Sequence, residues 1–189
     1  MTQQRIYQCA HPYHITFNVL NREWFFDDEK NAGLLHEIIL NAGVIKNHII
    51  YQFCIMPDHV HILCKTEPII EGFCHRTLGF QPRTLENVLC RKPGESDNQI
   101  MHTACNCGMI HEYDVSDFIK SIKGTFSRYI HIGDLWQKRF RDEIIHTGKQ
   151  LYSTINYITN NPVKAELSEK WSKRPYQYKN DELIEQLFK

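Results

Sequence analysis

The chain of 189 residues is 42% hydrophobic and carries 22 Lys+Arg against 22 Asp+Glu, which suits one domain, or one domain with an insertion, and excludes wholesale disorder. No apolar run approaches the ~20 residues of a membrane span, and Met1-Thr2-Gln3-Gln4-Arg5 lacks the basic and apolar regions of a secretory signal, so a cytoplasmic protein without a membrane partner is expected. The charge is uneven: residues 115–179 hold 12 Lys+Arg against 6 Asp+Glu, interleaved with Phe, Tyr and Trp, a pattern that fits either a phosphate-rich partner or a solvated helix face.

Tyr13 to Leu20 alternates and is rich in β-branched and aromatic residues, which predicts a strand. Asp27-Asp28 opens a helical pattern carried by Leu34, Leu35, Ile38 and Ile39, and Asn41-Ala42-Gly43 reads as its C-terminal cap. Asn47 to Ile55 is a second predicted strand. Pro57-Asp58 turns the chain, and His59 to Lys65 returns as a third strand, antiparallel to the second. Residues 67–113 hold Pro68, Gly72, Gly79, Pro82, Pro93, Gly94 and Gly108 with no sustained period, and are read as an insertion. Ser116 or Asp114 caps a predicted helix from Asp117 to about Tyr129, with Phe118, Ile119, Ile122, Phe126 and Tyr129 as its apolar stripe. Leu135 to Ile145 is a fourth strand with a possible break near Asp142. A helix from about Lys149 to Asn160 is expected to stop at Pro162. A short amphipathic segment with Leu183, Ile184, Leu187 and Phe188 closes the chain. The order strand, helix, strand, strand, helix, strand predicts an α+β fold: a ferredoxin-like split βαβ with a four-stranded antiparallel sheet and helices on one face.

Two features of this pattern carry chemistry. In the third strand His59 and His61 point to one face and Val60 and Ile62 to the other, so the two imidazoles suit one divalent metal. In the helix from Lys149, Leu151, Ile155 and Ile158 mark the buried side, and Tyr157 and Asn161 sit one turn apart off that stripe. They are either a polar pair looking at one spot across a sheet or a surface tyrosine and a C-terminal cap. Tyr152 is a second tyrosine on this helix, nearer the buried side by its spacing.

Three motifs, Met56-Pro57-Asp58-His59-Val60-His61-Ile62-Leu63, Leu135-Trp136-Gln137-Lys138-Arg139-Phe140 and Tyr157-Ile158-Thr159-Asn160-Asn161-Pro162-Val163-Lys164, together resemble the REP-associated tyrosine transposases. These belong to the one-tyrosine transposases of the HUH class (His, hydrophobic residue, His). The resemblance covers most of 13–66 and 115–178, and the motifs stand in the family's order. It implies that His59 and His61 bind metal, that Tyr157 is the nucleophile and that Asn161 is a third metal ligand. It implies a structural or DNA-contacting role for Trp136 and Arg139. The implied cofactor is a divalent ion, Mg²⁺ or Mn²⁺, since two imidazoles and an amide oxygen leave positions open for a scissile phosphate. The implied partner is single-stranded or hairpin DNA, the implied product a 5′-phosphotyrosine with a free 3′-OH, and a monomer is favoured. Lys120, Lys123, Arg128, Lys138, Arg139 and Arg141 are candidate DNA contacts, and Phe126, Tyr129 and Trp136 are either stacking partners or core.

Other readings compete. A decayed enzyme that only binds DNA hairpins keeps the fold, although the joint presence of His59, His61, Tyr157 and Asn161 argues for activity. Relaxases share the chemistry but usually place the tyrosine before the histidines. The insertion is rich in Cys and His (Cys74, His75, Cys90, His102, Cys105, Cys107, His111), and its Cys-x-Cys spacing fits zinc poorly. Together with Cys9, Cys54 and Cys64 these cysteines are expected to be reduced thiols. His11, His14, His131 and His146 lie near predicted element ends and are expected to be ordinary polar or core histidines.

Overall fold

A computed structural model describes residues 11–66 and 114–188. The insertion at 67–113, with its candidate zinc residues, lies outside the described residues, as do Cys9 and Lys189. The elements are β1 (Tyr13–Val19), α1 (Glu29–Ile45), β2 (His48–Ile55), β3 (His59–Thr66), α2 (Val115–Ile130), β4 (Trp136–Ile144), α3 (Gly148–Lys164), β5 (Gln177–Lys179) and α4 (Asp181–Gln186). The strands form one sheet in the order β4-β1-β3-β2-β5, with every pairing antiparallel. The first four strands have the order of the split βαβ. The sheet has five strands rather than four, because the three-residue β5 adds to the outer edge of β2 through Phe53↔Tyr178. A strand this short has too few residues to show a period.

Alternation divides the core into two layers. Ile15 and Phe17 of β1 and Val60, Ile62 and Cys64 of β3 point to one face, where α1 and α2 bury Leu35, Ile39, Phe118, Ile122 and Phe126 on them. On the other face Tyr51, Cys54, Met56 and Leu63 pack against Leu151, Ile155 and Ile158 of α3 and Ile184 of α4. So α1 and α2 share a face as the split βαβ requires, while α3 and α4, which follow that unit, cover the opposite one. Burial raises the Cys54 thiol to about 12 and also raises that of Cys64, so both stay protonated and unreactive.

Several local expectations are corrected. Gly43 does not end α1. It lies inside the helix because a Cβ there would meet Ile50 Cγ1 at 2.8 Å and the His48 carbonyl oxygen at 3.0 Å. The glycine serves close approach of α1 to β2, and the turn that follows is taken by Asn47 at φ 53°. Of the two candidate caps, Ser116 and Asp114, it is Asp114 that caps α2, accepting from the Asp117 N–H at 2.7 Å. β4 runs unbroken past Asp142, which pairs with Ile15; the irregularity lies between Phe17 and Val19. Pro162 does not stop α3, which continues to Lys164. A proline this near the end removes a single helical bond, the one to the Ile158 carbonyl, and the Pro162 carbonyl still accepts from the Leu167 N–H at 3.0 Å.

Two histidines in the core tie stability to pH. His36 packs edge-on to Phe53 with Nδ1 2.7 Å from the Pro175 carbonyl oxygen. His48 stacks on Phe118 at 4.5 Å. Burial lowers both pKa values below the ordinary 6.5. The unfolded chain therefore binds more protons than the folded one once pH falls below about 6.5, and stability is lost in that direction at up to ~1.4 kcal/mol per pH unit per group. The urea midpoint in the presence of chelator is expected to drop between pH 7 and pH 5, and to drop less in His36→Gln. A midpoint that stays level or rises over that range contradicts this.

Candidate active site

β3 is the central strand of the sheet, and its face beneath α3 carries both motif histidines. The two Nε2 atoms lie 3.1 Å apart. On an octahedral ion with bonds of about 2.1 Å, neighbouring ligand atoms stand roughly 3.0 Å apart, so this spacing fits two adjacent ligands. Each Nδ1 faces away from that point and is held. His59 Nδ1 bonds to Asp58 Oδ1. His61 Nδ1 lies 3.0 Å from Thr16 Oγ1 and 3.2 Å from His14 Nε2. Burial, with the neighbouring His59, His14 and Arg22, pulls the His61 pKa down to about 2. Burial also lowers His59, against the upward pull of Asp58. Both rings are therefore neutral at pH 7 and offer lone pairs rather than charge, the state a metal ligand needs.

The distant helix does reach them. α3 starts at a capping box, Thr147 with Gln150, and its apolar stripe docks on β2 and β3. Two polar bonds fix it: the Gln52 amide donates to Thr159 Oγ1 at 2.8 Å, and the Gln177 amide donates to the Thr159 carbonyl at 3.0 Å. That brings Tyr157 edge-on to His61 with ring centroids 5.3 Å apart, and 5.8 Å from His14. Tyr157 remains 40% exposed. Lys164 Nζ sits 5.6 Å over its ring. Asn161, one turn on, has a buried Nδ2 with no hydrogen-bond partner. Since N and O of an amide exchange by a flip, an orphaned buried amide of this kind has the chemistry of an oxygen ligand. Among the described residues no group of three His, Cys, Asp or Glu side chains could hold a metal.

Sequence reasoning missed His14, Thr16, Asp58 and Arg22. His14 is not an ordinary element-end histidine: β1 pairs with β3 so that Thr16 faces His61, and His14, two residues earlier, shares that face. Tyr152 is also placed differently from its spacing, being 64% exposed. His11 and His146 meet each other, ring centroids 4.9 Å apart, rather than the core.

The candidate DNA contacts differ in their placement. Arg141 pairs with Thr16, so its side chain shares the histidine face; Arg139 is exposed two residues back along β4. Lys138 is exposed on the same strand and alternates to the other side. Lys120 and Arg128 line a shallow cleft of about 330 Å³ on α2 with Lys46, Asp117, Ser121 and Thr125. Lys120 is paired there with Asp117 at 3.3 Å. Lys123 is engaged: its ammonium donates to the Gln137 carbonyl at 2.8 Å, and burial lowers its pKa to about 8. Trp136 is 9% exposed and packs in the α1–α2 core with Phe126, its indole N–H donating to the Lys123 carbonyl at 3.2 Å. Phe126 is wholly buried, while Tyr129 is 49% exposed.

Comparison with known proteins bears on the histidine-bearing segment and on the fold. Residues 7–71, which contain β1 through β3, match the family model of the IS200-like transposases. The fold is that of a solved REP-associated tyrosine transposase bound to a REP hairpin, which is 17% identical with a TM-score of 0.62 over 94% of this chain and 81% of that one. A candidate transposase from Deinococcus radiodurans R1 is 16% identical over 89% of this chain and 99% of that one, with a TM-score of 0.41, and adds nothing to the first. A comparison with curated proteins gives no match. The family model thus covers the histidine-bearing segment, and the likeness of fold extends over nearly the whole chain. Among the described residues no helix is long and apolar enough to cross a membrane.

Proposed function

We propose that the protein is a metal-dependent transposase that cleaves and rejoins single-stranded DNA at hairpin-forming sequences through a 5′-phosphotyrosine on Tyr157. The observation that carries this reading is the contact of Tyr157, 5.3 Å between ring centroids, with His61, whose Nε2 stands 3.1 Å from that of His59. The hairpin bound by the structural neighbour supports the choice of substrate.

His59, His61 and Asn161 would hold a Mg²⁺ or Mn²⁺ ion, which when bound neutralises charge on a non-bridging phosphate oxygen. Tyr157 Oη attacks the phosphorus; the Oη–P bond forms as the P–O3′ bond breaks, Oη gives up its proton, and the departing oxygen takes one up to become the 3′-OH. One phosphodiester replaces another, so a second strand's 3′-OH can reverse the step and join DNA without an outside energy source. Lys164, beside the Tyr157 ring, and Arg141, on the same face of the sheet as His61, place positive charge where the backbone would run.

Incubation with Mn²⁺ and a labelled single-stranded hairpin is expected to give a protein–DNA adduct that survives denaturation and is lost when the metal is chelated. Tight hairpin binding with no adduct in any divalent ion would overturn catalysis and leave a hairpin-binding protein.

A further inference from the structure

Arg22 lies in none of the three motifs, yet the chain goes to some length to place it. After β1 two consecutive residues, Asn21 (φ 55°) and Arg22 (φ 59°), take the left-handed region. Asparagine enters this region readily, but arginine does so at a cost, so the turn must hold Arg22 there through its surroundings. It is clamped onto the step before the histidine strand. The Val19 N–H donates to the Asp58 carbonyl at 2.9 Å and the Phe26 N–H to the Pro57 carbonyl at 3.0 Å, while the Leu20 N–H ties the turn to the start of β4 at the Leu135 carbonyl, 2.7 Å away. The strained turn folds Arg22 back across this step. Its Nε donates to Asp58 Oδ2 at 2.7 Å, and its Nη1 donates to Asn18 Oδ1 at 2.6 Å.

The other oxygen of Asp58 meets His59 Nδ1. A carboxylate only accepts, so in the neutral ring the hydrogen is on Nδ1 and the lone pair is on Nε2, directed at the side where His61 Nε2 stands 3.1 Å away. Asp58 is 14% exposed while Arg22 is 50% exposed, so the chain of contacts runs inward from solvent to the ligand atom.

We propose that Arg22 is a positioning residue of the metal site: it fixes Asp58, which in turn fixes the tautomer and ring orientation of His59. This rests on the metal-bearing reading above. Outer groups of this kind typically alter metal affinity by about 10- to 100-fold. The competing expectation is that a half-exposed arginine pair contributes almost nothing.

The test is Mn²⁺ affinity of the full chain without DNA, read by titration of the free-ion EPR signal. Asp58→Asn is expected to weaken binding by roughly tenfold or more and Arg22→Ala by roughly three- to tenfold. Arg22→Ala added to Asp58→Asn is expected to cost nothing further, since the arginine acts through the carboxylate. Arg22→Lys is expected to restore part of the loss, as a lysine keeps the charge but not the two-pronged geometry. Unchanged affinity in Arg22→Ala overturns the proposal. So does an equal further loss in the Asp58→Asn background, which means a general effect on the fold. A wild-type chain that binds no Mn²⁺ overturns the metal reading itself and this inference with it, and is told apart from the other outcomes by that control alone.

Discussion

Tyr157→Phe is expected to lower hairpin cleavage and covalent capture by at least about a thousandfold, while hairpin binding and folding stay close to wild type. The expectation of an intact fold comes from the way the ring is held. Its contacts with His61 and His14 are edge-on ring contacts and that with Lys164 is a cation over a ring face; a phenylalanine keeps all three. The side chain is 40% exposed, so loss of the hydroxyl leaves no buried partner stranded, and stability should move by no more than ~0.5 kcal/mol. Tyr152→Phe is the matched control on the same helix and should cleave normally. Single-turnover cleavage of an end-labelled hairpin reads both. An adduct that persists in Tyr157→Phe removes the assignment.

The second large effect is expected at the histidine pair, and the two members should differ in a way that geometry decides. His61→Ala and His59→Ala should each reduce metal-dependent cleavage by at least about a hundredfold, because an outer-shell change alone reaches that range. Their stability costs should diverge. His61 is 4% exposed, holds contacts through both ring nitrogens and packs under Tyr157. Its removal leaves a cavity and strands Thr16 and His14, at ~1–3 kcal/mol. His59 is at the rim of the site, only part-buried, and its loss should be milder. Thermal melting beside the cleavage assay separates the two. His59→Ala with full cleavage in Mn²⁺ would remove the ligand role, whatever its stability.

These expectations show where a sequence carries a site and where it does not. The facing of His59 and His61 was legible because a strand has a period of two, and Val60 and Ile62 confirm it by entering the opposite core layer. The buried stripe of α3 was legible at helical spacing, and the same residues, Leu151, Ile155 and Ile158, do lie in the second layer. That α3 covers the histidines is a different kind of fact. It depends on Gln52 and Gln177 meeting Thr159, pairs far apart in the chain with no local signal. The same holds for the supporting residues. His14 and Thr16 join the site through the register of β1 on β3, and Arg22 through a turn whose left-handed residues are not glycines. Gly43 and Pro162 misled for the opposite reason. Each is a common terminator by local rule, and each is retained inside a helix because of its surroundings, a close contact with Ile50 in one case and a position in the last turn in the other. The basic residues of the second half were visible as charge, but charge does not say which are already engaged. Lys123 spends its hydrogen bonds on β4 carbonyls, a contact the sequence gives no reason to expect.

The most direct measurement is the identity and polarity of the covalent product. A hairpin oligonucleotide labelled separately at each end is incubated with the protein and Mn²⁺, and the denatured adduct is digested and its peptides weighed. The 3′-end label is expected to stay with the protein, on the peptide containing Tyr157, while the 5′-end label leaves on a fragment ending in a 3′-OH. Retention of the 5′-end label, or attachment at Tyr152 or any other residue, would contradict the account.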